Sequence, residues 1–149
     1  MRAVVQRVAR ASVSVDGVEV SSIGTGLLVL LGVGTDDEQP DATWLSDKVA
    51  QLRIFPDNSS VMNRSVEESH GAVMVVSQFT LHGDARRGRR PSYIAAAAPD
   101  KADALYRSFI DLLRARGIEV AEGVFQAMMQ VELVNDGPVT ILLDSKKTF

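Results

Sequence analysis

A run of apolar residues near the middle of the chain leads directly into side chains that could carry chemistry. Val73 to Val76 are all apolar, and the segment Ser77-Gln78-Phe79-Thr80-Leu81 follows them. An apolar run bounded by a glycine, here Gly71, is typical of a strand that is buried on both faces. Polar groups at the end of such a strand stand on a rigid support, which suits a catalytic or binding site. The alternative is structural, because Ser77 and Thr80 can also end a strand by hydrogen bonding to nearby backbone.

The chain offers few groups for acid–base or metal chemistry. It contains two histidines and no cysteine, so thiolate catalysis and cysteine-based zinc sites are excluded, and we expect no metal. The P-loop, Gly-x-Ser-x-Gly and His-Glu-x-x-His motifs are all absent. If the central strand continues past Thr80, then Thr80 and His82 share one face and could act as nucleophile and base. A histidine in a surface loop, without a catalytic role, is the other interpretation of His82.

A charged loop in the second half of the chain contains four arginines within five residues, Arg86, Arg87, Arg89 and Arg90. Arginine suits bidentate contacts to phosphate, so this loop could bind RNA. A solvated loop without a ligand is the alternative. The formal net charge of −3 argues against a uniformly basic nucleic-acid-binding surface but leaves room for a local basic patch.

Two further features are ambiguous when taken by themselves. The segment Asn135-Asp136-Gly137-Pro138 predicts a turn that joins two strands, and most bonds before proline are trans. Met128 and Met129 fall in a predicted strand, where methionine is either a core residue or part of an adaptable pocket wall.

The surrounding pattern predicts strands at both ends of the chain with two helices between them. Asp16-Gly17 separates two alternating runs and predicts a two-residue hairpin. Pro40 and Pro99 can each begin a helix, and Gly117 can end the second one. We expect one α+β domain over residues 1–149, with further strands at residues 2–8, 26–34, 118–120, 127–134 and 139–143.

The composition bounds the class of protein. A chain of 149 residues with 46% hydrophobic and 23% charged residues is ordinary for a soluble globular protein. Nothing near Met1 is typical of a signal peptide, since Arg2 and Arg7 interrupt any apolar segment. No apolar run approaches the ~20 residues that cross a bilayer. We therefore expect a cytoplasmic protein with no membrane partner.

Two segments taken together resemble the motif pair of the D-aminoacyl-tRNA deacylase (D-tyrosyl-tRNA deacylase) family: Ser77-Gln78-Phe79-Thr80-Leu81 and Asn135-Asp136-Gly137-Pro138-Val139-Thr140. The resemblance continues along the whole chain, through Met1-Arg2-Ala3-Val4-Val5-Gln6-Arg7-Val8, Arg90-Pro91-Ser92-Tyr93 and Leu142-Leu143-Asp144-Ser145. No motif position departs from the family pattern. Several members carry other residues at the position of His82, which weakens the case for a histidine base.

The resemblance implies a fold, an assembly and a reaction. The fold is an α+β (α/β) domain of three layers, β/β/α, with two antiparallel-rich sheets and two helices. The assembly is a homodimer whose active sites lie at the subunit interface. The reaction is hydrolysis of the ester between a D-amino acid and the 3′-terminal adenosine of tRNA, assisted by the 2′-hydroxyl of that adenosine and without a cofactor.

The resemblance also implies roles for particular residues. Ser77, Gln78, Phe79 and Thr80 form the catalytic segment, in which the backbone N–H groups of Phe79 and Thr80 could polarise the ester carbonyl. The family's Gly-Pro bond is cis and reaches into the partner's pocket, where it rejects L-amino acids. Glycine has no side chain to reject, so glycyl-tRNA should also be cleaved. The residues implied for substrate binding and rejection are Gly137, Pro138, Arg7 and Met129. If the substrate is an aminoacyl-tRNA, the arginine loop supplies the candidate contacts to tRNA: Arg86, Arg87, Arg89 and Arg90.

Two functions from other classes stay open at this point. One is a small-ester hydrolase that uses Thr80 or Ser77 as its nucleophile. The other is a non-catalytic RNA-binding module that uses the arginine loop.

Overall fold

The first strand organises the sheet because it is paired along both of its edges. The computed structural model describes residues 1–149, and its strands and helices in chain order are β1 (Arg2–Val15), β2 (Val18–Ile23), β3 (Gly26–Gly32), α1 (Gln39–Gln51), β4 (Phe55–Pro56), β5 (Met62–Arg64), β6 (Ala72–Ser77), a 3-10 turn (Phe79–His82), α2 (Pro99–Ala115), β7 (Val120–Glu122) and β8 (Gln130–Asp144). β1 pairs antiparallel with β3 and β2 on one edge and with β8 on the other. β6 runs parallel to β3, and β7 runs parallel to β6. The result is a six-stranded mixed sheet, with β4 and β5 as a separate two-stranded ribbon.

Two apolar cores lie on opposite faces of this sheet. The helices cover one face, where Leu45, Val49 and Phe109 are fully buried against β1, β3 and β6. On the other face, β2 and the first half of β8 fold over the central strands and enclose a second cluster that includes Val13, Leu28, Met74 and Val76. This arrangement confirms the expected α+β class and its layers. The two expected sheets are continuous with each other, because β1 belongs to both layers.

The predicted local signals agree with the structure at several points. Asp16 and Gly17 both have positive φ, 51° and 78°, and Val15 pairs with Val18 across their turn. Pro40 and Pro99 lie in the first turns of α1 and α2, and Gly117, just beyond α2, has φ 82°. Neither helix combines the length and the hydropathy that crossing a membrane requires.

The strands at the two ends of the chain are longer than the sequence predicts. β1 does not stop near residue 8 but continues to Val15, because its second half still finds partners in β2 and β8. The prediction of separate strands at 127–134 and 139–143 is wrong, since β8 pairs with β1 on both sides of Gly137-Pro138. That dipeptide forms a bulge rather than a connecting turn, and a bulge is one of the few places where a paired strand accepts proline. The third closing strand, β7, lies at Val120–Glu122 rather than at 118–120.

Candidate active site

The segment that follows the central strand is held close to β3. β6 ends at Ser77, and the 3-10 turn Phe79–His82 begins two residues later. The N–H of Gln78 donates to the carbonyl oxygen of Leu31 at 2.8 Å, which carries the β3 pairing past the end of β6. A Cβ at Gly32 would lie only 2.9 Å from the Gln78 carbonyl oxygen, so the turn can approach this closely because residue 32 is a glycine.

A cavity of about 710 Å³ opens beside this turn. Ser77-Gln78-Phe79-Thr80 forms one wall, and the start of α2 and the segment before β8 form the others. The remaining lining residues are Val76, Ala96, Ala97, Pro99, Ala102, Phe125, Gln126, Ala127, Met128, Met129 and Val131. None of the lining residues carries an ionisable side chain. The cavity therefore supplies no aspartate, glutamate, histidine or lysine for general acid–base catalysis.

Apart from Gln126, the polar side chains that line the cavity belong to the wall formed by Ser77-Gln78-Phe79-Thr80. The side-chain amide of Gln78 donates to the Thr80 hydroxyl at 2.5 Å. The backbone N–H groups of Phe79 and Thr80 donate no hydrogen bond within the chain. Two adjacent free N–H donors beside an apolar cavity are suited to hold a carbonyl oxygen on which negative charge develops.

Met129 is fixed in the cavity wall by its own sulfur. The thioether sulfur accepts a hydrogen bond from the Val124 N–H at 3.3 Å. The same sulfur would lie 2.7 Å from a Cβ at Gly123, so it occupies space that only a glycine at position 123 leaves open. Met128 also lines the cavity but is 91% exposed. Of the two interpretations from the sequence, the pocket wall applies to both residues, while Met129 also packs against the second core.

Gly137 and Pro138 lie far from this cavity within the same chain. β1 and β3 stand between β8 and β6, Ser77 is level with Ala3, and the bulge is level with Arg7. At ~4.8 Å between strands and ~3.3 Å per residue, roughly 20 Å separates the two segments. Both residues are exposed, and the bond between them is cis.

The side chain of Arg7 anchors the bulge by hydrogen bonds to the backbone. Its side chain is buried and donates to the carbonyl oxygens of Asp136 at 3.1 Å and Ile54 at 2.5 Å. Asn135 closes the bulge from the other side, because its side-chain oxygen accepts from the Val139 N–H at 2.8 Å. Gly137 has φ 130°, and a Cβ there would lie 2.7 Å from a methyl group of Val139. The backbone at this position is therefore fixed by hydrogen bonds and requires glycine.

His82 does not form a pair with Thr80, and the proposed nucleophile and base arrangement is wrong. Residues 79–82 form a 3-10 turn with about three residues per turn, so positions two apart lie on different faces. His82 lines a second, charged cavity with Arg2, Asp37 and Asp144, behind the turn. The alternative of a surface histidine is also wrong, since His82 is only 9% exposed. Burial lowers the pKa of His82 below its ordinary value.

The arginine loop stands beside the turn and is closed at its base. Asp84 and Ser92 exchange two backbone hydrogen bonds of 2.8 and 2.9 Å. Arg86 forms a bidentate ion pair with Asp84, at 2.8 and 2.7 Å. The other three arginines are exposed and form no ion pair: Arg87, Arg89 and Arg90.

Apart from Met128 and Met129, the sequence did not indicate the residues that face Ser77-Gln78-Phe79-Thr80. Ala96, Ala97, Ala102 and Phe125 all line the cavity. Alanine and phenylalanine at such positions are common core residues, so their types gave no signal. Only the amphipathic pattern of α2 and its start at Pro99 placed a helix near this part of the fold.

Comparison with known proteins assigns a chain with this sheet and this uncharged cavity to one family. The profile of the family described as D-Tyr-tRNA(Tyr) deacylase matches residues 4–144, and the chain belongs to this family. Relatives named D-aminoacyl-tRNA deacylase from Syntrophobacter fumaroxidans and Koribacter versatilis are each 60% identical over 149 residues, which is 100% of this chain and 100% of theirs. The resemblance seen in the motifs is thus confirmed.

Solved structures give the same result for the fold. The structure titled "c-Myc DNA Unwinding Element Binding Protein" superposes with a TM-score of 0.91 at 40% identity, covering 97% of this chain and 98% of that one. The structure of a probable eukaryotic D-amino acid tRNA deacylase superposes with a TM-score of 0.82 over 95% of this chain and 97% of its own. At 20% identity, that second likeness concerns the fold alone.

Proposed function

We propose that residues 1–149 act as one domain that hydrolyses the ester bond of D-aminoacyl-tRNA and releases free tRNA and a D-amino acid. Membership of the D-Tyr-tRNA(Tyr) deacylase family and the names of the relatives at 60% identity support this activity. The observation that carries the mechanism is the cavity beside Ser77-Gln78-Phe79-Thr80, which combines two free backbone N–H donors with no ionisable side chain.

Catalysis in such a cavity depends on backbone and substrate rather than on a protein base. The ester carbonyl oxygen accepts from the N–H groups of Phe79 and Thr80, which stabilise the charge that develops when water attacks the carbonyl carbon. The bond from that carbon to the ribose 3′ oxygen then breaks, and this oxygen takes up the proton that the attacking water loses. The ribose 2′-hydroxyl lies next to the ester and is the group that can relay this proton. Ser77, Gln78 and Thr80 orient the aminoacyl group.

Chirality is read by the bulge of a neighbouring subunit. A D- and an L-amino acid differ in the direction in which the side chain leaves Cα, so fixed backbone on one side excludes the L form. Gly137 and Pro138 are exposed and held by Arg7 and Asn135, but they lie roughly 20 Å from the cavity of their own chain. They can reach a cavity only if it belongs to another copy. Glycyl-tRNA carries no side chain to exclude and is therefore also a substrate.

The face of the sheet that a second copy would cover carries an apolar row. The strand registers align Leu142, Val4, Leu30 and Val76 across β8, β1, β3 and β6. Paired residues point to the same side of a sheet, and the last of these four lines the cavity. Leu142 is 59% exposed, while Val4 and Leu30 are partly exposed. A homodimer formed through this face would bury the row and bring the bulge of one protomer towards the cavity of its partner.

The tRNA itself would be held by the arginine loop. Arg87, Arg89 and Arg90 are exposed and free of acidic partners, and the loop that carries them is anchored beside the 3-10 turn. These guanidinium groups suit contacts to the phosphates of the acceptor end.

A nucleic-acid-binding module without catalysis is a second candidate, because the solved structure at 40% identity is titled as a DNA-unwinding-element binding protein. The small-ester hydrolase finds no such support, since no base stands next to the Thr80 or Ser77 hydroxyl in the cavity.

A deacylation assay with matched D- and L-aminoacyl-tRNA separates these functions. We expect rapid loss of the D-amino acid and of glycine, and little loss of the L-amino acid. Binding of tRNA without release of either amino acid would favour the binding module and contradict the proposed function. Cleavage of simple esters at the rate of D-aminoacyl-tRNA would favour the small-ester hydrolase.

A further inference from the structure

An aromatic and aliphatic patch lies just outside the cavity and is open to solvent on its outer side. Tyr93 is 40% exposed and Ile94 is 88% exposed. Neither residue lines the cavity, but the Tyr93 ring meets the Phe79 ring edge-on, with centroids 5.2 Å apart and planes at 71°. Phe79 does line the cavity. The patch of Tyr93 and Ile94 therefore continues the cavity wall outward by one aromatic ring.

The backbone around Tyr93 holds its ring in place. A Cβ at Gly83 would lie 3.0 Å from the edge of the Tyr93 ring, so the ring packs directly on the backbone of that glycine. The hydrogen bonds between Asp84 and Ser92 fix the chain immediately before Tyr93. A ring that is rigid and yet half exposed offers a flat surface at little cost in conformational entropy.

The charges next to this patch identify the class of ligand. The loop that the Asp84 and Ser92 pairing closes presents Arg87, Arg89 and Arg90 without acidic partners. An aromatic platform beside a cluster of cations is the combination that binds single-stranded nucleic acid, because bases stack on the ring while cations contact the phosphates. A second copy of this chain fits less well, since it would bring its own unpaired arginines to the same surface.

We propose that Tyr93, flanked by Ile94, stacks the base of the nucleotide that precedes the terminal adenosine of tRNA. The inference rests on the proposed function, which places the aminoacyl ester and its adenosine at Ser77-Gln78-Phe79-Thr80. The next nucleotide then leaves the cavity past Phe79, and Tyr93 is the first ring that it meets. The arginine loop contacts the phosphates of the same single strand.

Two substrates separate this contact from catalysis. D-aminoacyl-tRNA contains the preceding nucleotide, whereas a D-aminoacyl ester of adenosine contains only the terminal one. We expect Tyr93→Leu, which keeps apolar volume but removes the ring, to lower kcat/KM for D-aminoacyl-tRNA by about tenfold to a hundredfold. The same variant should cleave the adenosine ester within about twofold of the unchanged protein. Tyr93→Phe is the matched control, since it keeps the ring and should stay within about twofold on both substrates.

A fluorescent base tests the stacking directly. In uncharged tRNA that carries 2-aminopurine as the nucleotide before the terminal adenosine, binding to the unchanged protein and to Tyr93→Phe should quench the fluorescence. Binding to Tyr93→Leu at saturating protein should quench it much less. Unfolding temperatures of the variants show whether each is folded.

Three results would overturn the inference. Equal losses on both substrates would place the effect of Tyr93 at the terminal adenosine or on the fold. Dissociation of a dimer by Tyr93→Leu in sedimentation would assign the patch to a second copy. Full activity of Tyr93→Leu on D-aminoacyl-tRNA would leave the patch without this role. Failure of the proposed function would give a different result, since the unchanged protein would then cleave neither D-aminoacyl-tRNA nor the adenosine ester.

Discussion

The two motif segments of this chain occupy contrasting environments. Ser77-Gln78-Phe79-Thr80 follows a buried strand, borders a cavity and presents free N–H donors. Asn135-Asp136-Gly137-Pro138 interrupts a paired strand, is largely exposed to solvent and does not line that cavity. Both segments are held by hydrogen bonds to the rest of the fold: the first through Gln78 to β3, and the second through Asp136 to the side chain of Arg7.

The difference indicates how a site can be divided. A segment with donors and a cavity can hold an ester but cannot tell a D- from an L-amino acid, because open apolar space accepts either. A rigid exposed bulge can exclude one of them but binds nothing by itself. Each segment lacks what the other provides, which is why we place them in one site formed by two subunits.

The largest effect on the cleavage rate should come from a change in the substrate that binds at Ser77-Gln78-Phe79-Thr80. If the cavity contains no protein base, replacing the terminal adenosine by its 2′-deoxy form removes the proton relay and should slow cleavage about 10²- to 10⁴-fold. Thr80→Ala removes the only hydroxyl in the turn and should cost less than about tenfold. Single-turnover rates with both substrates make this comparison. A covalent acyl group trapped on Thr80 would contradict it.

At the second segment, Gly137→Ala should lower selectivity, beyond the loss of stability that a positive φ causes for any residue other than glycine. Its Cβ would lie 2.7 Å from Val139 and 3.1 Å from Arg7, so the bulge must shift and move its carbonyl group. We expect the ratio of D to L deacylation rates to fall at least about tenfold. Gly17→Ala is the matched control, because Gly17 also has positive φ, 78°, but a Cβ there meets nothing within 4 Å. An unchanged ratio in Gly137→Ala would remove the bulge from chiral selection.

A smaller effect is expected from the loop beside the first segment. Replacing Arg87, Arg89 or Arg90 by alanine should weaken tRNA binding and reduce its salt dependence by roughly one counterion each. Arg86→Ala should change the salt slope less, since Asp84 already neutralises Arg86. Binding measured from 50 to 300 mM salt gives the slopes. If all four variants keep the original slope, the loop does not contact phosphate.

The smallest effect is expected on stability and concerns His82, at the end of the 3-10 turn. Burial lowers the pKa of His82, so the unfolded chain binds a proton there more readily than the folded one does. The stability contribution is present above the unfolded pKa of ~6.5 and is lost as pH falls below it. The difference in unfolding free energy between the unchanged protein and His82→Gln should therefore decrease between about pH 7 and pH 5. A difference that is constant over this range would contradict the assignment.

The sequence predicted best the features that are set locally. The Asp16-Gly17 hairpin, the starts of both helices and the strand that ends at Ser77 follow from turn chemistry and periodicity. The continuity of β8 could not be predicted, because proline after glycine usually ends a strand and only the pairing with β1 overrides that preference. The burial of His82 and the alanine walls of the cavity depend on contacts between distant parts of the chain, which side-chain types alone do not encode.

The claim that two subunits form one site is tested most directly by mixing two defective variants. Phe79→Pro removes one free N–H donor without removing a hydrogen bond of the fold, and proline is tolerated at the first position of a helical turn. This variant should be inactive but keeps an intact bulge. Gly137→Ala keeps an intact catalytic segment but lacks selectivity. After subunit exchange with excess Phe79→Pro, each Gly137→Ala cavity would face an unaltered bulge.

We predict that the D to L rate ratio of the Gly137→Ala protein rises towards that of the unchanged protein as inactive Phe79→Pro is added. Adding a double variant that carries both Gly137→Ala and Phe79→Pro should instead leave the ratio low. If the single and double variants have the same effect, each chain reads chirality with its own bulge, and the divided site described here is wrong.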